Sequence, residues 1–217
     1  RLRQGLRPET GAGYDERAER AVATLRRMQL RGPRFEREVA DLMDRLARTD
    51  ATQFEIGLET LGALLGFEAE RPAGRAHPDG AWREGTALWI VFEAKTGEGP
   101  EKPVSPKAVR QALTHADWVR ANLDWPDPAR TQVVLVTPRR KVSPDAAGIA
   151  RDLCLVPPQA IKELAESVVT AHRDVRGRAP GQTDDQLAEM MARGFVQQEL
   201  TTEKIVERFG QRRVAAG

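Results

Sequence analysis

Asp79, Glu93 and Lys95 put two carboxylates and an ammonium into a short stretch of chain, a combination suited to phosphate-ester hydrolysis. The run Ala87-Leu-Trp-Ile-Val-Phe92 is apolar and rich in β-branched and aromatic residues, so it reads as a buried central strand. Side chains alternate along a strand, so Glu93 and Lys95 leave on one face while Ala94 turns to the other. Asp79 lies in the Pro78-Asp79-Gly80 turn that precedes this strand. A returning strand could bring its carboxylate beside Glu93. Such a group is costly to desolvate unless a cation completes it. Oxygen donors of this kind suit Mg2+ or Mn2+, and those ions suit phosphodiester hydrolysis.

The elements that must position these residues follow from periodicity and breakers. Residues 1–13 hold three glycines and a proline and read as a linker. A helix is predicted from Tyr14 to about Leu30, with Val22, Leu25 and Met28 at helical spacing, and Gly32-Pro33 ends it. A second helix, Arg34 to Arg48, carries Phe35, Val39, Leu42, Met43 and Leu46 on one face. Together they form a helical hairpin. Thr49-Asp50 caps a helix over 51–65 that stops at Gly66. A strand over Phe67–Arg71, the Pro78-Asp79-Gly80 turn and the strand 87–95 follow. A Gly/Pro loop leads to a helix over 107–122, in which Val109, Leu113, Ala116 and Val119 share a face. A strand Gln132–Thr137, a short helix near 144–150, a strand 153–156 and a helix 158–172 complete the core. Asp174 to Asp185 reads as a linker, before two short helices at about 184–193 and 199–209. The expected class is α/β, a mixed central sheet flanked by helices. The expected divisions are 1–49, 50–173 and 174–217.

Bulk properties narrow the function without naming it. At 217 residues the chain can bury one good core. No apolar stretch reaches membrane-spanning length. One cysteine, Cys154, excludes a disulfide framework and fits a reducing, cytoplasmic setting. Three histidines, at 77, 115 and 172, form no zinc spacing, and His115 reads as structural or surface. The net charge is only +2, so phosphate binding must come from local basic runs such as Arg26-Arg27, Arg139-Arg140-Lys141 and Arg212-Arg213. Trp82, near Asp79, is the tryptophan considered for base stacking. The chain opens on Arg1 and is expected to be a piece of a longer protein.

The order of elements, with Asp79, Glu93 and Lys95 in these places, resembles the PD-(D/E)XK nuclease superfamily, the restriction-endonuclease-like fold. The resemblance covers about residues 51–172. It implies that Asp79, Glu93 and the Ala94 carbonyl hold Mg2+ or Mn2+. It also implies a glutamate on the preceding helix: Glu55, with Glu59 one turn further as its alternative. Lys95 would stabilise charge on the phosphate or position the attacking water, and Gln111 would orient Lys95 or contact a phosphate. Arg139, Arg140 and Lys141 follow a core strand and are candidates for the nucleic-acid backbone. The expected activity is metal-dependent cleavage of nucleic acid, DNA by the family's habit, in the cleavage domain of a larger bacterial defence or repair protein. The alternative is a catalytically silent module of the same fold that binds nucleic acid or protein. A homodimer is a further expectation, with the helical hairpin as its surface.

Overall fold

The structure is a computed structural model that describes residues 12–74 and 76–211. The expected N-terminal linker, apart from its last two residues, and the Arg212-Arg213 run lie outside the described residues. The elements in chain order are α1 (Ala12–Arg27), α2 (Arg34–Ala47), α3 (Ala51–Leu64), β1 (Glu68–Glu70), β2 (Gly80–Glu84), β3 (Leu88–Ala94) and α4 (Pro106–Asn122). They continue with β4 (Arg130–Val136), α5 (Pro144–Ala147), β5 (Leu153–Val156), α6 (Pro158–Arg178), α7 (Asp184–Gln197) and α8 (Thr202–Gly210).

The five strands form one mixed sheet in sequence order. β1, β2 and β3 are an antiparallel meander, whereas β3, β4 and β5 run parallel. Antiparallel neighbours need only a tight turn, while parallel ones need a crossover, and α4 supplies the first of these. Every residue of β3 is buried, as its unbroken apolar run requires of a central strand. Its even-numbered residues Leu88, Ile90, Phe92 and Ala94 join a core with α1, α2, α3, α6, α7 and α8. Its odd-numbered Trp89 and Val91 face α4, beside Ala81 and Val119. Val133, Leu135, Leu153 and Leu155 continue that second face under α4 and α5.

Local chemistry sets the boundaries. Asp50 caps α3 by accepting from the Gln53 N–H at 2.9 Å, and Ser105 caps α4 by accepting from the Ala108 N–H, with Pro106 in the first turn. Gly66 ends α3 at φ +79°, where a Cβ would lie 2.0 Å from the Arg17 carbonyl oxygen, so only glycine fits. Thr183 and Gln186 close a reciprocal capping box on α7.

Four expectations need correction. Residues 80–84 form a full strand that the sequence reading left inside a turn; Gly85, at φ +47°, supplies the tight turn back into β3. The helix expected to stop at 172 runs on to Arg178, because Val175 is buried and Arg173 and Arg176 are tied to Glu36, Leu30 and Gly32. The linker therefore shrinks to the few residues before α7. The hairpin and the C-terminal helices enter the same core cluster as the sheet, so the apolar faces of α1 and α2 are packed inside the chain. Trp82 is buried in β2, donates to the Leu58 carbonyl at 3.1 Å and stacks on Phe67, which removes it from base stacking. Among the described residues no helix is long and apolar enough to cross a membrane.

Candidate active site

The β2–β3 register pairs Gly80 with Phe92, and the Asp79 N–H donates to the Phe92 carbonyl at 2.9 Å. One step further along, Asp79 stands opposite Glu93. Odd-numbered residues of both strands share the α4 face, so Asp79, Glu93 and Lys95 leave the sheet on the same side, as alternation along a strand requires. The Asp79 carboxylate accepts from the Ala94 N–H at 2.6 Å. The Lys95 N–H donates across to the Val136 carbonyl, so the backbone groups of Ala94 face the Asp79 side. The carbonyl of Ala94 thus faces the Asp79 side of the strand.

Glu93 is 1% exposed and is held at both oxygens. Lys95 Nζ lies 2.5 Å from Oε1, and His115 Nε2 lies 2.5 Å from Oε2. Burial works to raise the Glu93 carboxyl, but the hydrogen bond from His115 and the ion pair with Lys95 outweigh it and hold it below the usual range. For Lys95, burial is likewise overcome by the pairing with Glu93 and by the charges of Glu93 and Asp79, so its ammonium is held more firmly than usual. Asp79 behaves in the opposite way. Burial, together with the negative charge of Glu93, pushes its carboxyl up to about 6, against the pull of the Ala94 N–H and of Lys95.

Glu55 reaches the same end of the sheet because Thr96 Oγ1 donates to the Thr49 carbonyl at 3.0 Å, pinning the start of α3 to the end of β3. Its negative charge acts on Asp79, and its own carboxyl is raised by burial, with Arg71 and His77 opposing. Arg71 lies 3.7 Å from Glu55 and 4.0 Å from Glu59. Glu59 is 45% exposed at its side chain against 14% for Glu55, so Glu55 is the nearer to the site in both burial and electrostatics.

The other predicted residues fall elsewhere. Gln111 is exposed, and its side chain makes no hydrogen bond among the described residues, so nothing ties it to Lys95. Arg139 is half-buried and spent on structure: it pairs with Glu98 at 3.2 Å and donates to the Gly99 and Pro103 carbonyls, which staples the loop after β3 to the end of β4. Arg140 and Lys141 are exposed beside that loop, where Val104 bridges to Val142.

His115 is the site residue that sequence reasoning missed. The face assigned to α4 through Leu113 and Ala116 is rotated: Ala108, Val109, Ala112, His115 and Val119 are the buried positions. Two alanines let the helix approach the sheet closely, and His115 then meets Glu93. The spacing 108, 112, 115, 119 was the available signal.

The donor set fits a small, hard cation in one respect and falls short in another. Among the described residues no group of three or more His, Cys, Asp or Glu side chains is gathered closely enough to hold a metal ion by itself. Magnesium, however, is usually held by one or two carboxylates with water and substrate phosphate completing the shell. Asp79, Glu93 and the Ala94 carbonyl are donors of that type; Asp79 bonds through one carboxylate oxygen, and Glu93 Oε1, ion-paired with Lys95, makes no hydrogen bond among the described residues, so lone pairs remain on both acids. No family model, curated protein or solved structure matches this chain.

Proposed function

We propose that the chain is a metal-dependent nuclease of restriction-endonuclease-like type, with DNA as substrate and Mg2+ or Mn2+ as cofactor. The observation that carries the reading is the placement of Asp79 opposite Glu93 at the end of a buried strand, with Lys95 on the same face. A bound Mg2+ or Mn2+ would polarise the scissile phosphate and acidify a nearby water. Asp79, Glu93 and the Ala94 carbonyl are the groups that would hold it, with Glu55 in electrostatic reach. The Lys95 ammonium, held protonated by its acidic neighbours, stabilises negative charge developing on the phosphate and does not serve as the base. Of the basic run 139–141, Arg140 and Lys141 are exposed past β4 and would meet a nucleic-acid backbone.

One observation favours the competing reading of a silent binding module: both oxygens of Glu93 are already engaged, by Lys95 and His115. Cleavage separates the two. Labelled DNA and RNA, single- and double-stranded, are incubated with the protein in Mg2+, Mn2+ or chelator. The nuclease reading predicts metal-dependent cleavage that Asp79→Ala abolishes and Lys95→Ala slows by about 10²–10³-fold. Cleavage that survives both substitutions removes this site. Binding of nucleic acid without cleavage in either metal installs the silent module.

A further inference from the structure

We infer that His115 is a positioning residue for Glu93, an inference that rests on the nuclease reading. The two side chains are each 1% exposed and lie 2.5 Å apart through Nε2 and Oε2. A carboxylate can only accept here, so Nε2 carries the proton and donates. The other ring nitrogen, Nδ1, is buried without a hydrogen-bond partner among the described residues, so Glu93 is the single polar anchor of the ring. Its neighbours on the buried face of α4 are Ala108, Ala112 and Val119, an otherwise apolar stripe in which a histidine has no packing advantage.

What the pair adds is orientation. Glu93 leaves a strand whose direction is fixed by β2 and β4, but its carboxylate can still turn about the side-chain torsions. Lys95 holds Oε1 and His115 holds Oε2, from the strand and from the covering helix respectively. The carboxylate is therefore held by an ion pair at Oε1, which makes no hydrogen bond among the described residues, and by one directional hydrogen bond at Oε2, so His115 is the group that orients it. Groups that orient an acidic ligand in this way contribute to cation affinity without touching the ion.

The test is Mn2+ binding to the full chain by calorimetry, with melting in chelator as the control for folding. Three variants divide the possibilities. His115→Phe keeps bulk and removes the donor. His115→Asn keeps a donor that is too short to reach Glu93. His115→Gln places an amide nitrogen near the Nε2 position. The inference predicts that Phe and Asn weaken Mn2+ binding by about 10–100-fold while Gln stays within about threefold of the unsubstituted chain. If Phe fails to melt cooperatively, the Asn and Gln pair decides alone. Equal Mn2+ affinity in all variants, or a loss in Gln as large as in Asn, overturns the positioning role and leaves the nuclease reading standing. An unsubstituted chain that binds no Mn2+ overturns the nuclease reading itself, and this inference with it.

Discussion

Two clusters of buried charged groups among the described residues, one around Arg17 and one around Glu93, are built on opposite principles. Under the helical face, Arg17 is fully buried and donates to the Leu65 and Leu200 carbonyls and to Thr202 Oγ1. Thr202 in turn donates to Glu84 at 2.7 Å, and the Arg17 guanidinium lies 4.2 Å from the centre of the Phe67 ring. Among the described residues the cation is linked to a carboxylate through a hydroxyl, so opposite charges offset each other there. At the end of β3, Asp79 and Glu93 face one ammonium, and Asp79 is driven well away from its ordinary range. A balanced network knits elements together: α1, α3, β2 and the start of α8 meet at Arg17. An unbalanced one stores unfavourable electrostatics that a ligand can relieve, which is how functional sites differ from structural ones.

The largest effect is expected where the balanced network is broken. Arg17→Met leaves the Leu65 and Leu200 carbonyls and Thr202 Oγ1 without the guanidinium and Glu84 without its nearby cation, and should cost about 3–5 kcal/mol of stability. Denaturant unfolding measures this. A loss under about 1 kcal/mol would mean that the network does not hold as described.

A second buried group sharpens the contrast because it titrates without taking part in the site. His172 is fully buried; burial drives its pKa down to about 4, against a bond from Nε2 to the Leu64 carbonyl that works to raise it. The unfolded chain therefore binds the extra proton first. The stability held by neutral His172 is intact above about pH 6.5 and drains away as the pH falls toward 4. His172→Gln keeps a donor to Leu64 and cannot titrate. The unsubstituted chain should lose about 2–3 kcal/mol relative to that variant across this window, read from urea midpoints. Parallel pH profiles for the two proteins would rule the histidine out as the cause.

How much of this was legible in the sequence divides along the same line. β3 announced itself because seven successive buried residues need no distant partner to explain them. Glu93 and Lys95 follow from alternation along that strand alone. β2 did not, because Arg83 and Glu84 look like a polar turn until Arg83 meets Glu68 and Glu84 meets Thr202, 118 residues away. The extension of α6 was hidden by Gly177, whose helical position is secured by arginine contacts to α2 and the turn before it. His115 was hidden for a related reason: its meaning depends on which face of α4 meets the sheet, and the alanines that set this carry little hydrophobic signal. Gln111, chosen by analogy of position, points to solvent.

The smallest change offers the most direct test of the central claim, that Asp79 and Glu93 share a cation. Asp79 has a folded-state pKa raised to about 6 from the ordinary 3.8, so its favourable contribution is fully present below about pH 3.8 and is lost as the pH rises through about 6. Asp79→Asn keeps an oxygen for the Ala94 N–H and removes the repulsion from Glu93. In chelator at pH 7.5 the variant should therefore melt higher, by a margin of about 1–2 kcal/mol after allowance for solvent screening, and the margin should vanish near pH 4. Added Mn2+ should then raise the melting temperature of the unsubstituted chain in a saturable way and leave Asp79→Asn unmoved. A variant that melts lower in chelator at pH 7.5, or one that gains as much from Mn2+ as the unsubstituted chain, contradicts the account.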